Sequence, residues 1–311
     1  MRTALVGYTG FVGANLSASY QFTDLYNSKN IESAYGTAPD LLVYAGLPAA
    51  MFKANSNPEA DFVDILQAIE NIKAIKPKQI VLVSSVAVYD RTFDVDENHV
   101  IDERQLLPYG KNRLYLEKWV SESCENSLIV RLPALYGLNL KKNFIYDYIN
   151  VIPGMLNEKK YQELVRESDL IASAYTLADD KFYHLSAVGN EKKRVFEFFR
   201  TNSFNAISFT DSRSIYQFYN LGRLWTDIQT ALKNGLRLLN ITTEPVSVAE
   251  VYKVLSGNVF VNELVKPPYN YDIKTIHAEL FGGQDGYLID KATELAELKQ
   301  YVDEEKERIW G

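Results

Sequence analysis

Short apolar runs alternate with segments of helical periodicity along the first 136 residues of the chain. Apolar runs too short for helices predict strands buried on both faces, and apolar spacings of three and four residues predict helices with one buried face. The runs that predict strands are 3–6, 21–26, 40–45, 79–83 and 127–132. Predicted helices begin near Phe11, Pro58 and Tyr109. This alternation predicts an α/β fold with a doubly wound parallel sheet.

The regular alternation ends after Gly137. Beyond it the pattern predicts helices over 143–152, 249–255 and 291–309, and a return of 211–233 to the main sheet region. We therefore expect a larger domain and a smaller, interleaved C-terminal substrate-binding region. The predicted boundaries are 1–136 plus about 209–242 for the larger domain, and 137–208 plus 243–311 for the smaller region.

Gly7, Gly10 and Gly13 lie between the first predicted strand and the first predicted helix. Glycine at the first position lets the chain turn tightly, and glycine at the second lets the backbone approach a phosphate. Glycine at the third position lets the helix pack closely on the strand. Because the N–H groups at a helix start favour an anion, this turn predicts a nucleotide-binding site.

Composition and charge narrow the possible partners. The net charge is −7 and no stripe of Lys and Arg is present, so we expect no nucleic-acid partner. A single cysteine, Cys124, excludes an internal disulfide and is typical of a cytoplasmic protein. The longest apolar run, 41–52, is too short to cross a membrane. His99, His184 and His277 lack the spacing of metal ligands, so we expect no metal.

The segment after the second predicted strand bears on the choice between NAD and NADP. An acidic residue there would bond the ribose 2′-hydroxyl of NAD, but Asn27, Ser28 and Lys29 occupy this segment and Asp24 comes too early. Ser28 and Lys29 can instead meet the 2′-phosphate of NADP. The sequence therefore slightly favours NADP, and an ordinary polar loop is the alternative interpretation.

Several motifs come in the order seen in extended short-chain dehydrogenases/reductases. They are the glycine turn, 84–89 (SSVAVY), 108–113 (PYGKNR) and 131–137 (RLPALYG), with softer matches at 217–227 and 240–247. Over roughly residues 3–250, the chain thus resembles NAD(P)-dependent sugar-nucleotide epimerases, dehydratases and reductases. The resemblance implies a Rossmann fold, an NAD(P) cofactor, a nucleotide-sugar substrate and a homodimer.

In that family a serine, a tyrosine and a lysine carry the chemistry. The resemblance implies that Ser85 hydrogen-bonds the substrate oxygen and that Tyr109 exchanges a proton with it. Arg113 stands at the lysine position. Arginine keeps the positive charge, but its planar fork does not simply replace a lysine ammonium. Lys53 is a possible substitute, and a surface lysine is the alternative interpretation of that residue.

The resemblance also implies binding residues. Those expected at the cofactor are Gly7, Thr9, Gly10, Phe11, Val12, Gly13, Asn27, Ser28, Lys29, Ala45, Gly46 and Pro133. Those expected at the substrate are Asn143, Arg213 and Arg223, since arginine suits bidentate contact with a diphosphate. For the two arginines, surface salt bridges are the alternative interpretation.

Two further positions depart from the family pattern. Ile65 and Ala134 stand where asparagine is common, and no acidic pair follows Ser85, which disfavours dehydration. We therefore expect an epimerase or reductase that acts on a nucleotide-activated sugar by hydride transfer at a ring carbon. The alternative is an NAD(P)-binding sensor or assembly protein that has lost catalysis. Reduction of a non-sugar carbonyl is a third possibility.

Overall fold

The computed structural model describes residues 1–310. The strands are β1 (Thr3–Val6), β2 (Asp24–Tyr26), β3 (Leu41–Tyr44), β4 (Ile80–Ser85), β5 (Phe93–Val95), β6 (Ser127–Leu132), β7 (Ala134–Tyr136), β8 (Met155–Leu156), β9 (Tyr175–Leu177), β10 (Tyr183–Leu185), β11 (Ile215–Tyr216), β12 (Phe218–Asn220), β13 (Leu238–Asn240), β14 (Val246–Ser247) and β15 (Asp272–Ile273). The helices are α1 (Phe11–Ser19), α2 (Met51–Ser56), α3 (Pro58–Ile75), α4 (Pro108–Ser123), α5 (Phe144–Ile149), α6 (Glu158–Glu167), α7 (Asp169–Ala174), α8 (Gly189–Thr201), α9 (Leu224–Lys233), α10 (Val248–Ser256) and α11 (Lys291–Trp310).

The chain divides into two compact units. The first unit contains Met1–Leu140, Ile215–Val246 and Tyr269–Leu298, and the second contains Lys141–Ser214, Ser247–Pro268 and the chain from Lys299 onward. Residues 269–298 thus belong to the first unit, whereas the predicted division assigned them to the substrate-binding region.

A six-stranded sheet forms the centre of the first unit, in the order β13-β6-β4-β3-β1-β2. Each neighbouring pair in it is parallel. Every residue of β1 and β3 is buried, as expected for strands covered by helices on both faces. The strand order reverses between β1 and β3. In such sheets ligands bind at this point, outside the carboxyl ends of the strands. The predicted doubly wound fold is confirmed.

Helices cover both faces of this sheet. Leu16 of α1 and Ile228 of α9 belong to the apolar core on one face. Ile69 and Ile72 of α3 and Val120 of α4 belong to the core on the other face. These residues lie at helical spacings of three or four from other buried positions, so each helix buries one stripe of its surface.

The start of α3 is set by local signals. The side chain of Asn57 accepts a hydrogen bond from the N–H of Ala60 at 3.3 Å, and Pro58 occupies the first helical position. Asparagine caps and first-turn prolines both favour a helix start. Asp61 consequently lies in the first turn of α3, where the helix dipole stabilises a negative charge.

The second unit has its own core and a small sheet. Strands β8, β10 and β9 form an antiparallel sheet, and Leu164, Ile171, Val195 and Phe199 pack beneath it in one apolar cluster. These four residues come from α6, α7 and α8. None of the helices within residues 1–310 has the length and apolar character of a membrane span.

Candidate active site

The turn between β1 and α1 leaves no room for side chains at two of its glycines. Gly7 has a φ of +91°, and a Cβ atom there would overlap the carbonyl oxygen of Ala45. A Cβ atom on Gly13 would overlap the carbonyl oxygen of Gly7. On Gly10 a Cβ atom would meet only that same oxygen, at 3.3 Å. The backbone therefore packs tightly at Gly7 and Gly13, whereas Gly10 borders open space.

The residues around this turn fit a pyrophosphate. Gly10 is the N-cap of α1 and no side chain caps the helix. The amides of the first turn, which include Phe11 and Val12, are thus placed to bind an anion. Ala45 and Gly46 follow β3 and contact the glycine turn, because a Cβ on Gly7 would meet both of them. The turn lies where the strand order of the sheet reverses.

The loop after β2 is closed by asparagine side chains. The N–H of Asn27 donates to Oδ1 of Asn30 at 2.7 Å, and the N–H of Lys29 donates to Oδ1 of Asn27 at 2.9 Å. The side chains of Ser28 and Lys29 are exposed. Asp24, the acidic residue in β2 before this loop, forms an ion pair with Arg2 at 2.6 Å.

Ser85 and Tyr109 come from segments that pack directly on one another. Ser85 ends β4, and its Oγ accepts a hydrogen bond from the N–H of Ala87 at 3.2 Å. A Cβ atom on Gly110 would overlap the carbonyl oxygen of Ala87. The start of α4 therefore packs against the turn that follows Ser85, and this places the Tyr109 segment beside the Ser85 segment.

Tyr109 is held from α2 and from its own helix. No side chain of the flanking residue caps α4, but Oδ1 of Asn55 in α2 accepts the N–H of Tyr109 at 2.9 Å. The side chain of Tyr109 is 7% exposed, and the Cζ atom of Arg113 lies 4.4 Å from its ring centroid. A guanidinium at this distance from the ring forms a cation–π interaction.

Arg113 forms a buried ion pair with Asp61. Its Nη1 donates to Oδ2 of Asp61 at 2.8 Å, and its Nη2 donates to Oδ1 at 2.9 Å. Nη2 also donates to the carbonyl oxygen of Pro48 at 2.7 Å, and Asn112 donates to Asp61 at 2.9 Å. The two charged side chains are 3% and 6% exposed. The charge of Arg113 is thus balanced inside the protein.

A second buried ion pair joins α4 to the ends of β4 and β6. Nη2 of Arg131 donates to Oε2 of Glu117 at 2.6 Å, and Oγ of Ser84 donates to Oε1 of the same carboxylate at 2.5 Å. The guanidinium lies 4.8 Å from the ring centroid of Tyr89, and burial raises the pKa of that phenol. These contacts tie the strand that ends at Ser85 to the helix that carries Tyr109.

The residues predicted to bind substrate all have partners inside the protein. In the second unit, Oδ1 of Asn143 caps α5, and Arg213 bonds Asp211 at 2.7 Å and Glu263 at 2.9 Å. In the first unit, Nε of Arg223 donates to Glu297 at 2.8 Å. The structure thus places Arg113 against Tyr109 and packs their helix on the turn after Ser85. Asn143, Arg213 and Arg223 have structural contacts within their own units.

The two positions that depart from the family pattern have packing roles. Ile65 is fully buried in the core beneath α3, so its side chain does not reach the site. Ala134 lies in β7, where it pairs with Phe218 of β12, and Pro133 directly precedes it. Neither position offers a polar group to a ligand.

Asn55 and Asp61 contact the predicted site residues but carry no local sequence signal for that role. Asp61 reads as an ordinary acidic residue in the first turn of a helix. Its partner is 52 positions away along the chain, so no local pattern indicates the pair. Asn55 lies in α2, over a segment where we predicted no helix.

Metal-ligating side chains do not cluster in residues 1–310, where no group of three or more His, Cys, Asp or Glu could hold a metal ion. Nε2 of His99 lies 2.6 Å from Asp90, and Nε2 of His184 lies 2.8 Å from Asp180.

Comparison with solved structures identifies proteins of the same fold. RMD from Pseudomonas aeruginosa, complexed with NADPH, superposes with a TM-score of 0.64 at 15% identity over 99% of this chain and 100% of that one. The dTDP-4-dehydrorhamnose reductase of Yersinia enterocolitica superposes with a TM-score of 0.61 at 14% identity, over 97% of this chain and 99% of that one. UDP-glucose 4-epimerase of Thermotoga maritima, with UDP-glucose, superposes with a TM-score of 0.63 at 12% identity, over 99% of this chain and 100% of that one. No family model matches the chain, and no curated protein matches it. The chain has the fold of the extended short-chain dehydrogenases/reductases, as the sequence resemblance implied.

Proposed function

We propose that the protein is an NAD(P)-dependent enzyme that acts on a nucleotide-activated sugar, as an epimerase or a reductase. The observation that carries this proposal is the packing of α4 on the turn after Ser85, seen in the overlap of a Gly110 Cβ with Ala87. This contact packs the segment that carries Tyr109 against the turn after Ser85, and the glycine turn also lies at the carboxyl ends of the parallel strands. The structures of similar fold that hold NADPH and UDP-glucose support the choice of ligands.

The residues that would hold the cofactor lie around the turn between β1 and α1. The amides of Phe11 and Val12 at the start of α1 would bind the pyrophosphate, with Ala45 and Gly46 alongside. Ser28 and Lys29 are exposed after β2 and would meet a 2′-phosphate, which favours NADP slightly. When bound, the cofactor supplies or accepts a hydride at its nicotinamide ring.

The side chains would then handle the proton. In a reduction, Ser85 donates a hydrogen bond to the substrate carbonyl oxygen, and Tyr109 gives its phenolic proton to that oxygen as the carbon gains a hydride. In an oxidation the same proton returns to Tyr109. An epimerase performs both steps on one ring carbon, whereas a reductase performs only the first.

A second candidate function is favoured by the Arg113–Asp61 ion pair. Its bidentate geometry at 2.8 and 2.9 Å balances the charge closest to Tyr109. A protein that binds the cofactor without turnover, and serves as a sensor or assembly partner, is compatible with this arrangement.

Isotope transfer separates the two candidates. To detect reduction, the protein is incubated with NADPH or NADH deuterated at C4 and with UDP-, dTDP- and GDP-sugars that carry a keto group. To detect epimerisation, it is incubated with NADP+ or NAD+ and with the same classes of sugar in the hydroxyl form, because oxidation of a ring carbon needs the oxidised cofactor. Mass spectrometry then follows the label, and chromatography follows the sugar configuration. Label in a sugar, or a change of configuration, supports the enzyme. Cofactor binding without either change supports the sensor. Label transfer to a carbonyl compound that free nucleoside diphosphates do not inhibit would indicate a non-sugar substrate.

A further inference from the structure

A cavity of about 590 Å³ lies beside the small antiparallel sheet of the second unit. Its walls come from β8, β10, the first turn of α6, and Phe204 and Phe209. Every residue that lines it belongs to the second unit, whereas Ser85, Tyr109 and Arg113 belong to the first. A volume of this size is typical of small-molecule sites.

One face of the β8–β10 pair lines the cavity. Met155 and His184 are directly opposite one another in this antiparallel pair. Because side chains alternate between the two faces of a strand, these two share a face, and Asn157 and Phe182 follow on it two residues along. All four residues line the cavity. The small sheet therefore presents one face to this space.

The apolar walls of the cavity are open to solvent. Met155 is 53% exposed, Phe182 40% and Phe209 57%. The ring of Phe204 lies edge-on to that of Phe209, with the centroids 5.5 Å apart. Single exposed apolar side chains are ordinary, but several that line one cavity form a patch of the kind found at binding sites. The apolar part of a ligand would remove this patch from water.

The polar side chains of the cavity suit an anion. Nζ of Lys160 lies 4.7 Å from the ring centroid of Phe204. Oδ1 of Asn157 accepts the N–H of Lys160 at 2.8 Å, so the amide nitrogen of Asn157 is the group left for a ligand. His184 adds an imidazole. Within residues 1–310 no Asp or Glu lines the cavity, although the chain has a net charge of −7. The lining therefore complements a ligand with a negatively charged, hydrogen-bond-accepting end.

The acidic partners of these side chains lie outside the lining. Nζ of Lys160 pairs with Glu163 at 2.5 Å, and Nε2 of His184 pairs with Asp180 at 2.8 Å. The side chains of Glu163 and Asp180 are 39% and 53% exposed. Ion pairs that are this exposed contribute little to stability, so a ligand can share or replace them at small cost.

We propose that this cavity binds an apolar monocarboxylate of the medium-chain fatty-acid type. Its chain lies on Met155, Phe182 and Phe209, and its carboxylate bonds the ammonium of Lys160. A hydrogen bond between two charged groups is roughly twice as strong as one between neutral groups. A neutral alcohol of the same chain length covers the same apolar surface without this bond. The acid and the alcohol together thus measure the apolar and the ionic contributions separately.

Calorimetry of the full chain with octanoate and octan-1-ol tests the ionic contact. Octanoate should saturate one site and bind roughly tenfold more tightly than the alcohol. Lys160→Met removes the charge and keeps an apolar stem, so it should weaken octanoate roughly tenfold and change the alcohol by less than about twofold. The control is Lys159→Met, at an exposed lysine of α6 that does not line the cavity. It should leave both affinities unchanged.

A second variant tests the apolar wall. Phe209→Ser removes an exposed ring and should weaken octanoate and octan-1-ol alike, by roughly tenfold. Val188→Ser is the matched control, because Val188 is 76% exposed in the same unit and lies outside the lining. It should change neither affinity.

The outcomes that overturn this inference leave the proposed function untouched. Octanoate that does not saturate a site, or that binds no more tightly than the alcohol, excludes the carboxylate site. Equal losses in Lys160→Met and Lys159→Met exclude the ionic contact. Displacement of octanoate by UDP would make the cavity part of a nucleotide-sugar site and also overturns the inference. Label transfer to sugars is measured separately, so each proposal succeeds or fails alone.

Discussion

The carboxylate of Asp61 accepts two parallel hydrogen bonds from the guanidinium of Arg113, at 2.8 and 2.9 Å. Only arginine offers a planar fork that matches a carboxylate in this way. Arg113 is therefore one half of a pair whose other half lies in the first turn of α3. Since the guanidinium also lies against the ring of Tyr109, the pair reaches the proposed acid/base residue.

Breaking this pair should destabilise the protein. Asp61→Ala leaves a buried, unpaired guanidinium, and we expect it to lower the free energy of unfolding by about 3–5 kcal/mol in chemical denaturation. Asp303→Ala breaks the exposed pair with Lys299 and should cost less than about 1 kcal/mol. Replacing both buried partners, with Asp61→Leu and Arg113→Met, should recover most of the loss. Equal effects of the two alanine variants would contradict the ion-pair argument.

Removing the hydroxyl of Tyr109 should stop the chemistry and spare cofactor binding. Tyr109→Phe keeps the ring that contacts Arg113, so the fold around it should not change. We expect label transfer to fall by at least about 100-fold, because a general acid/base is lost. NADPH affinity, measured by fluorescence titration, should change by less than about twofold. Tyr115→Phe on the same helix is the matched control, and full activity in Tyr109→Phe would exclude the mechanism.

The glycine turn should not accept alanine at position 13. Alanine normally stabilises a helix interior relative to glycine, by about 1 kcal/mol. At Gly13 the added Cβ would overlap the carbonyl oxygen of Gly7, so Gly13→Ala should instead destabilise the protein by about 1–3 kcal/mol and weaken NADPH binding. Gly154→Ala is the control, because no atom lies within 4 Å of its added Cβ. An unaffected NADPH affinity in Gly13→Ala would argue against a cofactor site at this turn.

The loop after β2 should decide between the two cofactors. Lys29 is exposed there, and its charge would favour a 2′-phosphate. We expect Lys29→Ala to weaken NADPH binding by about fivefold and to leave NADH binding unchanged. Lys111→Ala, which removes another exposed lysine, should affect neither cofactor. A parallel loss for both cofactors in Lys29→Ala would show that the residue does not read the 2′-phosphate.

Glu294 should make stability fall as the pH rises from about 4.5 to about 8. Its side chain is 1% exposed, and burial raises its pKa from 4.5 to about 8. Oε1 accepts the N–H of Phe218 at 2.8 Å. Because the folded-state pKa exceeds the unfolded value, this contribution to stability is fully present below pH 4.5 and is lost as the pH rises through about 8.

Chemical denaturation at pH 5.5 and 8.5 checks this effect. Between the two pKa values the folded protein holds one proton more than the unfolded chain. The free energy of unfolding therefore falls by about 1.4 kcal/mol for each pH unit in this range. The stability of Glu294→Gln relative to the unchanged protein should therefore improve by roughly 3 kcal/mol between the two conditions. Glu304→Gln, at an exposed position of α11, should show no such change. A constant difference between Glu294→Gln and the unchanged protein would refute the buried acid.

The sheet could be predicted because its signals are local. Strands β1, β3, β4 and β6 are short apolar runs, and the predicted bounds of β6, 127–132, are those of the structure. The glycine turn and the Asn57 cap also act over a few residues, so sequence spacing reveals them. Ser85 and Tyr109 could be singled out only because their motifs resemble those of a known family.

The missed elements depend on distant contacts. Helix α2 lacks an apolar stripe, and Phe52 within it is 84% exposed, but Asn55 bonds Tyr109 from 54 positions away. The strands of the second unit are two or three residues long, which is too short for a periodic signal. For Arg213 and Arg223 the sequence leaves diphosphate contact and salt bridges open, because it does not show that Asp211 and Glu297 fold against them.

The division into units has a consequence for synthesis of the chain on the ribosome. Strand β13, Leu238–Asn240, pairs with Ser127–Leu132 at the edge of the central sheet, and the whole 141–214 portion of the second unit is made between them. The nascent chain must therefore hold an unpaired sheet edge while those residues emerge. Since neither unit is one continuous stretch of polypeptide, a gene fragment that encodes one unit alone has to join separate segments of the chain.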